Sequence, residues 1–276
     1  MHPLKHLTTN HFDFNQLSQS LGIRSKDFQD GFLIEAHEHQ SHQLLYATTG
    51  VMRLQTEHKV WTVPSDRAVY IPAATVHSVT MFGDVSMRTL YIEPGNSSLN
   101  CAQLRVVQVT ALMRELINAL SEEPIVYQPK SRAEKIAQLI ESELERARDE
   151  PFSIALPVDP RLQTLCAALL ANPSERKTLD DWSVICGASV RTLSRLFEKD
   201  LGMSFRRWRQ LIRFHRAIEA LSQGKSIAQV AHQNGYKSPS AFSAAFHAFI
   251  GQPPSALAKK KLEVGSKDEG QTATAV

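Results

Sequence analysis

Ser226-Ile227-Ala228-Gln229-Val230-Ala231-His232-Gln233-Asn234-Gly235-Tyr236 is the stretch from which the rest of the chain can be read. Ser226 and Gln229 stand three apart, the spacing of a capping box that opens a helix. Val230 and Ala231 carry the helix on, and Asn234-Gly235 stops it. Ser238-Pro239 then starts a second helix with proline at its first position, where the missing N–H costs nothing. Phe242, Phe246 and Phe249 form the core stripe of that helix. Ser240, Ser243, Ala244 and His247 are left on its outward face. Helix, tight turn and helix make a helix-turn-helix unit, a pattern that by itself is as often plain packing as DNA recognition.

Upstream lies a long helix over Phe205–Ser222, with Trp208, Leu211, Ile212 and Leu221 inward and five arginines, Arg206, Arg207, Arg209, Arg213 and Arg216. Eighteen residues at 1.5 Å each span roughly 27 Å, close to one turn of DNA at roughly 34 Å. Further upstream the helix-turn-helix pattern repeats. Thr178 caps a helix with Asp181 three residues on, Gly187-Ala188 turns the chain, and Ser189 caps the next helix. That helix buries Val190, Leu193, Leu196 and Phe197, and shows Arg191, Ser194, Arg195 and Glu198. Two arginines one helical turn apart can each grip guanine O6 and N7 in the major groove. Arg213 on the strut is a further expected DNA contact.

Charge agrees with this reading. The net charge is +3 overall. Residues 1–173 carry 15 Lys/Arg against 19 Asp/Glu, whereas residues 174–261 carry 15 against 6. A basic segment behind a mildly acidic front suits a polyanion partner for that segment alone. At 276 residues, 42% hydrophobic and 21% charged, the chain fits two packed domains and excludes a disordered or rod-like whole. No apolar run is long enough to cross a membrane, and the start at Met1–His6 lacks a secretory h-region. The three cysteines, Cys101, Cys166 and Cys186, form no disulfide framework. A cytoplasmic location is expected.

Residues 160–258 resemble the double helix-turn-helix domain of AraC/XylS-type transcription regulators. The resemblance rests on Ser226–Tyr236, Ser240–Phe242, Phe246 and Gly251-Gln252-Pro253-Pro254. It implies that Arg191, Ser194 and Arg195 touch bases from the first reading helix, and that Ser240, Ser243 and Ala244 lie at the second. Ala244 stands where the family often carries a basic residue. The first reader is therefore expected to carry most of the discrimination and the second mainly to position. The partner implied is double-stranded promoter DNA.

Before residue 100 the texture is that of short strands: Gln43–Tyr46, Val51–Gln55, Val60–Val63, Ala68–Ile71, His77–Met81 and Ser86–Ile92, with a hairpin turn at Glu57–Lys59. After it the period is helical, with Leu112, Leu116, Ile117 and Leu120 on one helix. Ser131-Arg132-Ala133-Glu134 reads as a capping box opening another, with Ile136, Leu139, Ile140 and Leu144 on one face. These helices could pair across two subunits. The expected organisation is α+β: a cupin-like β-barrel sensor over 1–100, a helical dimerisation or packing segment over 101–150 and a linker over 151–160. The all-α tandem helix-turn-helix domain over 161–261 and a disordered tail over 262–276 complete it.

His37-Glu38-His39 puts two imidazoles at strand spacing, followed by Gln43 and Gly50, and downstream comes Pro72-Ala73-Ala74-Thr75-Val76-His77. Histidines converging from two strands could hold a divalent transition metal, since neutral imidazole suits nickel, zinc, copper and iron. The alternative is a hydrogen-bonded pocket lining. His42 and His58 read as surface residues. The spacing resembles the first cupin motif with Gln43 in place of glutamate, and the second with Ala74 in place of glycine. The stretch His37–Pro94 is similar to the NimR-like cupin subgroup of the same regulator family, some members of which respond to nickel. That resemblance implies His37, His39, Gln43 and His77 as metal ligands, nickel first, with zinc or iron as alternatives.

Three function classes compete. One is an effector-controlled, homodimeric regulator, activator or repressor, of neighbouring genes such as a transporter. The second is a metal-dependent cupin enzyme with an accessory helical domain. The third is an architectural DNA-binding protein. The missing motif carboxylate and the lack of an acid/base pair or nucleophile constellation disfavour the enzyme, so no catalytic residues are expected. Paired arginines on tandem readers disfavour the third.

Overall fold

The computed structural model describes residues 19–95, 103–150 and 153–257. Cys101 and the tail 262–276 lie outside them. The front of the chain supplies nine strands among the described residues: β1 Leu21–Phe28, β2 Leu33–His37, β3 His42–Gln55, β4 Lys59–Pro64, β5 Arg67–Ile71, β6 His77–Ile92, β7 Arg105–Gln108, β8 Asp149–Glu150 and β9 Ser153–Ala155. They pair antiparallel in one sheet of order β1-β6-β3-β5-β7-β8, with β2 on β6, β4 on β3 and β9 on β4. The domain is cupin-like, but the sheet is not closed: its path ends at β1 and at β8.

Strand alternation sorts the apolar side chains to two faces. Leu45, Val69, Met81 and Met87 join one core, whereas Leu44, Tyr46, Ala68, Tyr70 and Leu90 join another. The second core is roofed by α1 (Ala111–Ser121) and α2 (Arg132–Arg146) through Met113, Ile117, Leu120, Ile136, Ile140 and Leu144. Leu112 and Leu139, which the sequence groups with the apolar residues of these helices, are about half exposed, at 54% and 51%.

The six expected short strands fall in four longer ones, β3 to β6. Gln43–Tyr46 and Val51–Gln55 are two parts of β3, joined through a register shift between Ala47 and Val51. Gly50 makes this possible. Its φ is +73°, and a Cβ there would lie 2.6 Å from Val85 Cγ2 and 2.8 Å from Asp84 O. His77–Met81 and Ser86–Ile92 likewise merge into β6. The β3–β4 turn closes without glycine because the Thr56 N–H donates to Lys59 O and the Lys59 N–H donates to Thr56 Oγ1. Ser131 caps α2 as expected, but Glu134 reaches back to the N–H of Lys130 rather than to that of Ser131.

Residues 153–155 of the expected linker are part of the sheet. β9 pairs with β4, and its Ile154 is buried among Leu162, Leu165 and Leu211. The all-α half follows: α3 Pro160–Ala171, α4 Leu179–Ile185, α5 Val190–Leu201, α6 Phe205–Ser222, α7 Ile227–Gln233 and α8 Pro239–Ile250. In this half the capping pairs Thr178/Asp181 and Ser226/Gln229 are formed with both reciprocal bonds. α4–α5 and α7–α8 are the two helix-turn-helix modules, with α6 between them. The sheet touches each module separately. Val60 and Ile154 share a core with the first, whereas Met52, Met81 and Val85 share one with Phe214 and Ile218 of α6 and with Phe242 and Phe246 of the second.

Candidate functional site

Each module exposes the face that the sequence assigned to reading. On α5, Leu193, Leu196 and Phe197 are buried, whereas Arg191, Ser194 and Arg195 are exposed. On α8, Phe242 and Phe246 are buried, Ser240, Ala244 and His247 are exposed, and Ser243 is half-buried. Ser189 and Ser238 cap the two helices by accepting from Thr192 N and Ala241 N. These caps fix where each reading face begins.

The strut departs from the basic surface read in the sequence. Arg209 donates to Lys177 O at 2.9 Å and Arg213 donates through Nε to Pro173 O at 3.2 Å. Arg216 pairs with Glu219 at 2.9 Å. Arg213 is half-buried, and its Nε holds the α3–α4 connection against α6. Arg206 and Arg207 are the strut arginines that are exposed.

At the other end of the chain, the structure brings His37, His39 and His77 together. Ring centroids lie 4.5 Å apart for His37–His77, 5.1 Å for His39–His77 and 6.1 Å for His37–His39. His37 ends β2 and pairs with His77 of β6, whereas His39 lies in the loop beyond the strand, not on it. That loop is tied down by the N–H of Ala74, which donates to His39 O at 2.8 Å. Ala74, standing in the glycine position of the motif, has φ of +57°, a conformation that costs an alanine about 1 kcal/mol.

All three Nδ1 atoms face backbone carbonyls: Glu35 O for His37 at 2.8 Å, Ser41 O for His39 at 2.6 Å and Thr75 O for His77 at 2.8 Å. A carbonyl only accepts, so each Nδ1 carries the proton and each neutral ring keeps its lone pair on Nε2. Burial, followed by the neighbouring imidazoles, lowers the His77 pKa to about 4 although the Thr75 carbonyl opposes this. His77 is therefore neutral at pH 7, and its buried Nε2 has no hydrogen-bond partner within the protein. In donor chemistry the set fits a transition metal whose ligands are oriented by backbone carbonyls. Among the described residues no three His, Cys, Asp or Glu side chains stand in an arrangement that could hold an ion. Gln43 is buried on β3, on the face of Leu45.

His42 differs from these three and from its reading as a surface residue. Its Nδ1 accepts the N–H of Ala73 at 3.0 Å, and its ring lies 5.5 Å from that of Tyr70. Burial lowers its pKa, against the raising effect of Glu93. His58 is exposed, as expected. The sequence reading missed the contacts of Arg53 and Asp30 with α6, because nothing local marks a strand arginine or a turn aspartate as reaching another domain.

Two helix-turn-helix modules with exposed reading faces, carried on a sheet domain with a histidine pocket, define a DNA-binding regulator with an attached ligand-binding domain. The AraC-like ligand binding domain matches residues 20–144, and a helix-turn-helix domain matches residues 182–260. Over 220 residues the chain is 30% identical to the HTH-type transcriptional regulator NimR of Escherichia coli (strain K12), covering 79% of this chain and 80% of that protein. It is 32% identical over 111 residues to the HTH-type transcriptional regulator RipA of Corynebacterium glutamicum, covering 40% of this chain and 34% of that one. A solved AraC-type regulator from Chromobacterium violaceum aligns with 40% of this chain and 96% of its own, at 28% identity and a TM-score of 0.35. The chain belongs to the AraC family of transcription regulators. It is a regulator rather than an enzyme, and its partners are promoter DNA and a small-molecule effector. Among the described residues no helix is long and apolar enough to cross a membrane.

Proposed function

We propose that the chain is a homodimeric regulator that reads a specific promoter with α5 and α8 and controls neighbouring genes, a transporter among them. We further propose that its effector is a divalent transition metal taken at the histidine pocket. The DNA reading is carried by one observation: the faces bearing Arg191, Ser194 and Arg195, and Ser240, Ser243 and His247, point away from their own cores on two capped reading helices. Arg191 and Arg195 discriminate bases. The second face, which has no arginine or lysine, positions. Arg213 acts from the strut by holding the first module in place. A salt titration on a duplex from the chain's own upstream region and on a scrambled duplex tests this. Sequence-specific binding survives at salt concentrations where scrambled binding is lost. Equal affinity for both duplexes at every salt concentration overturns it.

The metal reading rests on three Nδ1 atoms facing carbonyls, which leave Nε2 lone pairs for a cation. His37, His39 and His77 would hold it, with Gln43 as the fourth candidate. All four donors are neutral, so the site favours the borderline-soft ions nickel, zinc or iron(II) over hard cations. The ion's part would be to pin β2 to β6. Titrating nickel and zinc into wild type and into His37→Ala/His39→Ala tests this by calorimetry. Equal binding in both removes the metal and leaves the pocket to an organic effector.

A further inference from the structure

The sheet domain meets the last turn of α6 through a charged contact. Arg53 of β3 donates to Glu219 through Nε and Nη2, at 2.7 and 2.5 Å to Oε1 and 2.5 Å to Oε2. Arg216 adds a bond to the same carboxylate at 2.9 Å. The Glu219 side chain is 2% exposed. The Arg53 guanidinium lies 4.6 Å over the Phe82 ring. Next to this pair, Asp30 in the β1–β2 turn accepts from Gly83 N at 2.7 Å and from Gln223 Nε2 at 3.1 Å. The Ser222 hydroxyl is 3.1 Å from Phe82 O. A Cβ on Gly83 would lie 2.9 Å from Ser222 O, so the two backbones touch there. The contacts that cross from the sheet domain, those of Arg53, Asp30, Phe82 and Gly83, fall on Glu219, Ser222 and Gln223, from which the chain passes into the second module.

The centre of the contact is poorly compensated. Arg53, Thr62, His215, Arg216 and Glu219 line a small cavity together with apolar side chains of β4, β9, α3 and α6. His215 is buried, and neither of its ring nitrogens has a hydrogen-bond partner within the protein; the Thr62 hydroxyl has none either. Buried groups of this kind regain hydration when the contact opens, which lowers the cost of separating the surfaces. An interface of wholly apolar side chains would lack that return.

We propose that Arg53, Glu219 and Asp30 form an interdomain latch with two states, and that the closed state is the DNA-binding form. The reading faces are exposed while the latch is closed, so closure does not mask them; it fixes the second module relative to the first, which the sheet holds separately through β9. A preset spacing lowers the ordering cost of occupying two grooves at once. β6 carries His77 at its start and Phe82 five residues on, about 17 Å along one strand, so the effector pocket and the latch share an element. The regulatory part of this inference rests on the effector-controlled reading given above.

The test uses the full chain, with spectroscopic labels on exposed sites of the sheet domain and of α8. Interdomain distances are read without DNA, and affinities are then measured for the upstream duplex. Arg53→Glu and Asp30→Ala change the sheet side only, and are expected to lengthen the distance and to weaken binding by about tenfold or more. Arg53→Glu/Glu219→Arg restores both. His215→Phe fills the cavity with an apolar ring and narrows the distance distribution. An unchanged distance in Arg53→Glu overturns the latch. A lengthened distance with wild-type affinity overturns its role in DNA binding. If the exchanged pair fails to re-close while circular dichroism shows it folded, the ion pair is not the fastener. Absence of duplex binding by wild type would count against the promoter reading instead, since the distances need no DNA.

Discussion

Arg195 and His247 occupy comparable exposed positions on the two reading helices, yet their chemistry differs. A guanidinium can make a bidentate bond to guanine, whereas a neutral imidazole offers one donor and one acceptor. Arg195→Ala should cost about 1–3 kcal/mol of binding and relax the preference at one base pair. His247→Ala should weaken specific and scrambled duplexes alike, and to a smaller extent. Competition binding against a panel of single-base variants checks this, and equal loss of discrimination in the two mutants would count against it. His215 gives a pH prediction. Burial, then the positive charge of Arg53, lowers its pKa from 6.5 to about 3. The unfolded chain therefore takes up a proton at this residue below about pH 6.5 while the folded chain does not. Stability should be full above that point and fall as the pH drops toward 3, by a few kcal/mol at about 1.4 kcal/mol per unit. Urea unfolding at pH 7.5 and 5 should show the loss, and His215→Phe should reduce it.

Among the elements, β9 shows most directly where reading by sequence stops. The capped helices were legible because a cap, a period and a turn residue are all local, and α4, α5, α6, α7 and α8 fall where those signals place them. β9 has three residues between prolines, and its reading as linker was the natural one. Pairing with β4 makes it a strand, and the indole of Trp208, which donates to Ala155 O at 3.1 Å, holds it to α6. The bonds of Arg209 and Arg213 to Lys177 O and Pro173 O show the same limit: period shows which face an arginine is on, not which distant carbonyl it meets. Trp208→Phe keeps the apolar ring but leaves the Ala155 carbonyl without its indole donor. It should destabilise the chain by about 1–2 kcal/mol, measured by urea denaturation. No change in stability would show that the indole bond does not contribute.

For the whole molecule, the sequence conveyed two domains and their order, and it found three histidines that the fold gathers from β2, the following loop and β6. It could not convey that the domains share cores. The proposed dimer belongs to this scale. Leu112 on α1 and Leu139 on α2 are exposed apolar residues on the helices that roof the sheet. Leu112→Lys/Leu139→Lys should shift sedimentation from dimer to monomer at micromolar concentration with little change in thermal unfolding; a wild type that is already monomeric would remove the proposal. The short strand β9 also bears on how the molecule can be dissected. It hydrogen-bonds to the sensor yet buries Ile154 against the helical half, so neither half owns it outright. A fragment beginning at Pro160 would leave the indole of Trp208 without its carbonyl and uncover an oily seam along α3 and α6. Such a piece should express poorly and clump, and less so when it begins upstream of Ser153 and keeps that seam covered.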